Sequence, residues 1–301
     1  MANILFLDES RVSASLSMAD LIPAMASALA DLSTGSAVQP VRTVVPVADH
    51  RGFLGVMPAY NKALGAKLVT FYPHNTDVHT HHGLIVLFKP ATGEPLCVMD
   101  GRLITEMRTA AVSAAATKLL AREDSHVLAI LGSGVQARSH LEAMKIVRDF
   151  DEVRVWSPRN AAKFGNEHGV IAAPSAEECV RGADVICVVT GSETPVLHGE
   201  WLSPGTHINA VGANRPTWRE LDDECLRRSK MYVEFREAAF KESGDVLAAA
   251  GNVFGEVGEV VNKKLPGRET PEEITLFKSL GQAVEDIAAA DIVYQRALMN
   301  G

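Results

Sequence analysis

The sequence predicts an α/β protein in two parts, a doubly wound domain around a parallel sheet and a mixed α+β domain. Three observations carry this. The stretch "VLAILGSGVQARSH", residues 127–140, is an apolar run that breaks into glycines and continues with helical spacing. From about Thr105 onward, strand-like and helix-like segments alternate at the pitch of βαβ units, which implies a parallel sheet. Before that point, strand-like segments follow one another directly, separated by turn signals, behind one leading helix.

The leading helix is "SMADLIPAMASALADLSTG". Ser17 is placed to cap it with Asp20 three residues on, Leu21, Ile22, Met25, Leu29 and Leu32 form its apolar stripe, and Gly35 ends it. The strand-like pieces "VRTVVPV", "FLGVMPAY", "AKLVTFY", "LIVLFK" and "PLCVMD" follow, with Pro90-Ala91-Thr92-Gly93 as one of the turns between them. The Ala-rich "TEMRTAAVSAAATKLLA" has helical spacing. The alternation then runs through "VLAILG", "ARSHLEAMKIVRDF", "EVRVWS", "SAEECVRGA", "DVICVVT" and "THINAVG". Thr270-Pro271-Glu272-Glu273 reads as a helix start, with proline at the first helical position and glutamate at the third. A final helix is expected from Ala283 to about Leu298.

The composition narrows the function. The 301 residues are 47% hydrophobic and 22% charged, with a formal net charge of -8. An acidic chain of this kind argues against binding to nucleic acid or to a membrane surface, both of which favour a basic face. "MANILFLDES" carries Asp8 and Glu9 and does not read as a signal peptide, and no apolar run is long enough to span a bilayer. Cys97, Cys179, Cys187 and Cys225 lie far apart with no CxxC pair, which reads as reduced, mostly buried thiols in a cytoplasmic protein. No internal repeat is visible.

The glycine run has the form G-x-G-x-x-A at Gly132, Gly134 and Ala137. It follows an apolar strand and opens a helix, the context that a Rossmann dinucleotide site requires. Gly132 permits the tight turn, Gly134 lets the backbone approach a pyrophosphate, and Ala137 lets helix and strand pack closely. The helix N-terminus faces the negative charge. The plain alternative is a tight βα turn without a ligand. A site for NAD usually shows an Asp or Glu about 20 residues on, at the end of the second strand. Here that strand ends Trp156-Ser157-Pro158-Arg159-Asn160, with no acid. Ser157 can hydrogen-bond a phosphate and Arg159 can neutralise it, the pattern for NADPH with NADH weaker. The alternative is a turn serine beside a solvated arginine.

Arg42 in "VRTVV", Lys67 in "AKLVTF" and Arg108 in "EMRTAAV" are cations within apolar stretches, where a buried charge is costly unless paired. Together they can form a receptor for a carboxylate; equally, they can be snorkelling or ion-paired side chains. "HNTDVHTHHG" places His74, His79, His81 and His82 close together. The H-x-H-H run invites a metal, but clear further ligands are absent, and no metal is expected.

The stretches "QPVRTVVPV", "HRGFLGVMPAY", "KLVTFY", "VMDGRLIT", "RTAAVSAAATK", "LGSGVQA", "GEWLSPGTHINAVGANRPTWRELDDE", "KESGDVL" and "FKSLGQAVED" resemble the ornithine cyclodeaminase/mu-crystallin family over residues 39–286. The resemblance implies a substrate-binding and dimerisation domain from residues 1–112 and 282–301, a Rossmann NADP-binding domain over 113–281, and a homodimer formed through the sheet of the first. It implies that Arg42, Lys67 and Arg108 bind the substrate carboxylate, and that Lys67, Arg108 and His81 form the catalytic set. His81 is the candidate proton donor or substrate contact, with an ordinary loop histidine as the alternative. Thr109, Gly132, Gly134, Val135, Gln136, Ser157, Arg159, Asn160 and Thr190 are the expected cofactor contacts. Asn214, in "NAVGANRP", lies beside the substrate where cyclodeaminases of the family carry a catalytic aspartate. An amide cannot exchange protons as a carboxylate does, so ornithine deamination is disfavoured. The expected activity is NADPH-dependent reduction of the C=N bond of cyclic ketimine carboxylates, five- or six-membered or sulfur-containing, to cyclic amino acids. The alternatives are an alanine-dehydrogenase-like reductive amination and NADPH-dependent binding of thyroid hormone.

Overall fold

The computed structural model describes residues 4–300. The chain forms two compact units. One holds the residues up to Arg108 together with those from Gly281 on, and the other holds Thr109–Leu280.

The first unit is built on a six-stranded sheet of β1 (Leu5–Leu7), β2 (Thr43–Val47), β3 (Gly52–Tyr60), β4 (Leu64–Phe71), β5 (His81–Phe88) and β6 (Pro95–Asp100), in the order β1-β6-β5-β4-β3-β2. β1 pairs with β6 in parallel and the other pairs are antiparallel, so the sheet is mixed, as its sequence predicts. Side chains alternate faces along each strand. Met57, Ala59, Lys67, Ile85, Leu87, Cys97 and Met99 share one face and are buried. The helices Met18–Ser33 and Ala283–Asn300 pack on each other, and Ala283–Asn300 packs on β3, β4 and β5. The opposite face carries Val45, Leu54, Val56, Leu68, Leu84, Val86, Val98 and Phe6 in register across all six strands. Of these Phe6 is 67% exposed and Leu84 50%.

The leading helix forms over Met18–Ser33 as expected, and a further short helix, Glu9–Ser15, precedes it, with Leu16 extended between the two (φ -103°, ψ 141°). One expectation at the start of the longer helix is corrected. Ser17 is the N-cap of the second, but its side chain accepts no helix N–H; its hydroxyl bonds the Asp20 carboxylate instead, and Asp20 also takes Arg296 Nη2 at 2.6 Å. A charged acceptor outcompetes the neutral capping bond.

The second unit carries an all-parallel sheet of eight strands: β7 (Val127–Leu131), β8 (Glu152–Trp156), β9 (Ile171–Ala172), β10 (Val185–Val188), β11 (His207–Ala210), β12 (Ser229–Val233), β13 (Gly255–Glu256) and β14 (Ile274–Lys278). Their order is β13-β12-β14-β11-β10-β7-β8-β9. β7 and β10 read as continuous apolar runs because helices cover both faces of such sheets; every residue of β10 and β11 is buried. From β7 the chain winds through β8 to β9, then returns to place β10 on the other side of β7. This is a topological switch point, where ligands of open parallel sheets bind beyond the carboxyl ends of the strands.

The helix expected at Thr270-Pro271-Glu272-Glu273 does not form. These residues are a turn that leads into β14. Arg268 Nη1 bonds the carbonyls of Thr270, Pro271 and Glu273, and the Glu273 carboxylate accepts the Glu269 N–H at 2.7 Å. The helix-start signal closes a turn, and the apolar "ITLFK" that follows is a strand between β11 and β12. Among the described residues, no single helix is long and apolar enough to cross a membrane. All four cysteines are free and buried.

Candidate active site

In the first unit the expected cations meet carboxylates on the final helix. Lys67 lies at the middle of β4 on the covered face and is 2% exposed. Its Nζ stands 2.6 Å from Asp286 Oδ2. Arg108 donates from Nε to Asp286 Oδ1 at 2.8 Å and from Nη1 to Glu285 Oε2 at 2.9 Å. Both carboxylates are fully buried in the first turn of Ala283–Asn300, where the helix dipole favours negative charge. Arg42 lies just before β2, not within it, and is half-buried rather than enclosed by apolar neighbours. It donates from Nη2 to the Gly281 carbonyl at 2.9 Å.

Burial pushes the Lys67 ammonium down to about 8; Asp286 works against this, while Arg108 and Arg42 add to it by repulsion. Lys67, Arg108 and Arg42 thus gather at one place in the first unit, beside the buried carboxylates of Asp286 and Glu285. Two guanidiniums and an ammonium so close together suit recognition of a carboxylate.

His81 opens β5 opposite Phe71, with ring centroids 4.4 Å apart, and is exposed. Lys67 shares its face but pairs with Ile85, four residues along the strand, about 13 Å away at the usual rise. The two residues are not brought together. His79 and His82 lie 6.2 Å apart between ring centroids, and among the described residues no group of three or more potential metal ligands forms.

In the second unit β7 ends at Leu131 and Gly132 follows with φ +120°, where a Cβ would lie 2.6 Å from the Val189 carbonyl oxygen. Gly134 caps the thirteen-residue helix Val135–Val147, and a Cβ there would meet nothing within 4 Å, so open space adjoins the backbone. Val135 is exposed and Gln136 half-buried, while Ala137 is buried in the first turn. The Gln136 carbonyl accepts His140 Nδ1 at 2.8 Å, and His140 Nε2 bonds Ser113 Oγ at 3.0 Å. Burial pushes His140 down to about 4, so it is neutral, with its proton on the nitrogen that faces the carbonyl. Thr109 is buried near the start of the same helix as Ser113, and its carbonyl accepts the Ser113 hydroxyl at 3.2 Å.

Beyond β8, Ser157 Oγ accepts Ser133 Oγ at 2.8 Å and the Asn160 N–H at 3.1 Å. Both contacts are accepted, which leaves its own hydroxyl hydrogen for a ligand. Arg159 is exposed and makes no hydrogen bond or ion pair among the described residues. Together with the glycine loop, these residues fit a nicotinamide dinucleotide. Thr190, beyond β10, bonds Glu220, and Asn214 is exposed in the loop after β11.

Sequence reasoning missed the acids. Glu285, Asp286, Glu220 and Asp245 are all fully buried, and Lys278 with them. Lys278, in "LFKSL", carries the same signal as Lys67, a cation among apolar residues.

The comparisons with known proteins agree with one another. The model of the Ornithine cyclodeaminase/mu-crystallin family matches residues 3–301. The chain is similar to the ketimine reductase mu-crystallin of Mus musculus, 54% identical over 286 residues and 91% of each chain. It is similar to the solved structure of Thermococcus litoralis Δ1-pyrroline-2-carboxylate reductase in complex with NADH and L-proline, at 39% identity and TM-score 0.94, covering 99% of this chain and 98% of the other. An archaeal alanine dehydrogenase dimer with bound NAD follows at 36% identity and TM-score 0.93, covering 99% and 97%.

Proposed function

The chain belongs to the ornithine cyclodeaminase/mu-crystallin family, and on that premise we propose how it acts: it reduces the C=N bond of a five- or six-membered cyclic imine carboxylate, with NADPH as the preferred nicotinamide dinucleotide. The observation that carries this is the gathering of three cations, Lys67, Arg108 and Arg42, at one place in a protein whose net charge is -8. Such a site selects a small carboxylate from among neutral imines.

In this reading the two arginines and Lys67 hold the carboxylate, with bidentate geometry from Arg108 or Arg42. When bound, the reduced nicotinamide supplies the hydride that the imine carbon accepts. Lys67, whose proton is held less tightly than in water, stays charged at neutral pH and supports protonation of the imine nitrogen. Asn214 offers an amide and no acid. Domain roles follow the same division, with substrate bound by the first unit and cofactor by the second. The exposed apolar face of Phe6, Leu68, Leu84 and Val45 is the face through which two copies pair; sedimentation as a monomer would remove that assignment.

The deciding assay follows NADPH oxidation with Δ1-pyrroline-2-carboxylate, Δ1-piperideine-2-carboxylate, and pyruvate plus ammonia, beside ammonia release from ornithine with NAD. Turnover of the cyclic imines and no ammonia from ornithine is the expected pattern. Rapid ornithine deamination would overturn the proposal, because Asn214 would then not mark the branch.

Cofactor preference is tested by Arg159→Ala. A charge-assisted phosphate contact is worth about 1.5–3 kcal/mol, so NADPH affinity should fall by roughly ten- to a hundredfold while NADH affinity stays near its starting value. Equal losses for both cofactors would exclude Arg159 as the phosphate contact.

A further inference from the structure

We propose that Glu220 is a positioning residue that sets the shape of the cofactor-facing loops after β10 and β11, an inference that rests on the dinucleotide reading of the second unit. Its carboxylate is fully buried and accepts four hydrogen bonds. Oε1 takes the Thr190 N–H at 2.8 Å and the Thr190 hydroxyl at 2.6 Å. Oε2 takes the Gly212 N–H at 2.6 Å and the Ala213 N–H at 3.0 Å. The two oxygens therefore bind two different loops, one beyond each of two adjacent parallel strands whose ends are in register at Val188 and Ala210. Those ends form the carboxyl edge of the sheet beside the switch point, and Thr190 and Asn214 are both carried by the tied segments.

All four partners donate, so the group is suited to its ionised form. Burial raises its pKa, and Lys278 opposes this. Lys278 ends β14, the neighbour of β11, and is itself paired with Asp245 Oδ2 at 3.1 Å. Asp245 Oδ1 in turn accepts the Glu220 and Leu221 N–H groups at 3.1 and 3.2 Å. Glu220, Lys278 and Asp245 thus form one buried charged set. The backbone is fitted to it: a Cβ on Gly212 would lie 2.0 Å from the Thr190 carbonyl oxygen and 2.5 Å from Glu220 Oε1.

A glutamine at this position presents an NH2 group to N–H donors on one side, so one of the two loops must move. Ser157 bonds Ser133 and Asn160 and neither of the tied loops, so the Ser157/Arg159 region should keep its geometry. The experiment therefore reads the two ends of the cofactor separately. Adenosine 2′,5′-bisphosphate probes the adenine end, and kcat with a cyclic imine probes the nicotinamide end. The wild type is measured first: absence of turnover or of bisphosphate binding there means failure of the cofactor reading itself. In Glu220→Gln, bisphosphate affinity should stay within about twofold while kcat falls at least about tenfold. Gly212→Ala, which displaces the same loops with the carboxylate intact, should give the same split. Unchanged kcat in either variant with normal bisphosphate binding overturns the proposal. So does loss of bisphosphate binding in both, which would assign the set to the stability of the unit.

Discussion

Asp286→Asn is expected to move the alkaline limb of the kcat/KM profile to lower pH by more than about one unit, and to cut kcat/KM near neutral pH by roughly a hundredfold. Lys67 sits at about 8, below its ordinary 10.5, because burial and two neighbouring guanidiniums oppose its charge while Asp286 supports it. The charged form is present below that value and is lost as pH rises through it. A close pair of unit charges at the effective dielectric of a protein is worth about 4 kcal/mol, roughly three pKa units. Without Asp286 the amine is therefore largely neutral at physiological pH, and the substrate carboxylate loses one of its three cations. The thermal midpoint should fall as well, since removing one member of a buried pair costs about 3–5 kcal/mol. Lys67→Arg separates the two effects: a guanidinium does not titrate in this range, so the alkaline limb should vanish. A limb that stays in place in Asp286→Asn would show that another group controls it.

Gly132→Ala should abolish tight cofactor binding. At φ +120° an alanine is strained by about 1–3 kcal/mol, and its methyl would press on the Val189 carbonyl, which belongs to the segment beyond β10. Neither atom can retreat cheaply, because Gly132 N–H is bonded to the Trp156 carbonyl at 2.8 Å and Val189 N–H to Leu131 at 2.9 Å. Relief of the contact must shift the glycine loop against its neighbouring strand end. Calorimetric titration should show at least about a thirtyfold loss of NADPH affinity, equivalent to roughly 2 kcal/mol. Unchanged affinity would mean that the dinucleotide does not use this loop.

What was legible in the sequence follows a physical rule. Local patterns are read where a segment's own periodicity decides its fate. Ala283–Asn300, the Gly132 turn and the strands "FLGVMPAY" and "PLCVMD" formed as expected because burial on one face, or on both, matches their residue spacing. "TPEE" failed for the opposite reason: Arg268 and the slot between β11 and β12 overrode a local helix signal. The short helix Glu9–Ser15 was not read from the sequence, because seven residues with Val12 as their one buried apolar side chain carry too little periodicity; Asp8, which accepts the Arg11 N–H, starts it.

The sequence by itself determined a glycine loop opening a helix after an apolar strand, a second strand ending without an acid, and three cations set among apolar residues. Each is a property of neighbours along the chain. Only the tertiary structure decided which charges face one another. Lys67 and Asp286 lie 219 positions apart, and Glu220 ties Thr190 to Gly212 from a third segment. A buried charge is tolerated only beside its partner, and that partner is chosen by packing in space, which spacing along the chain does not encode.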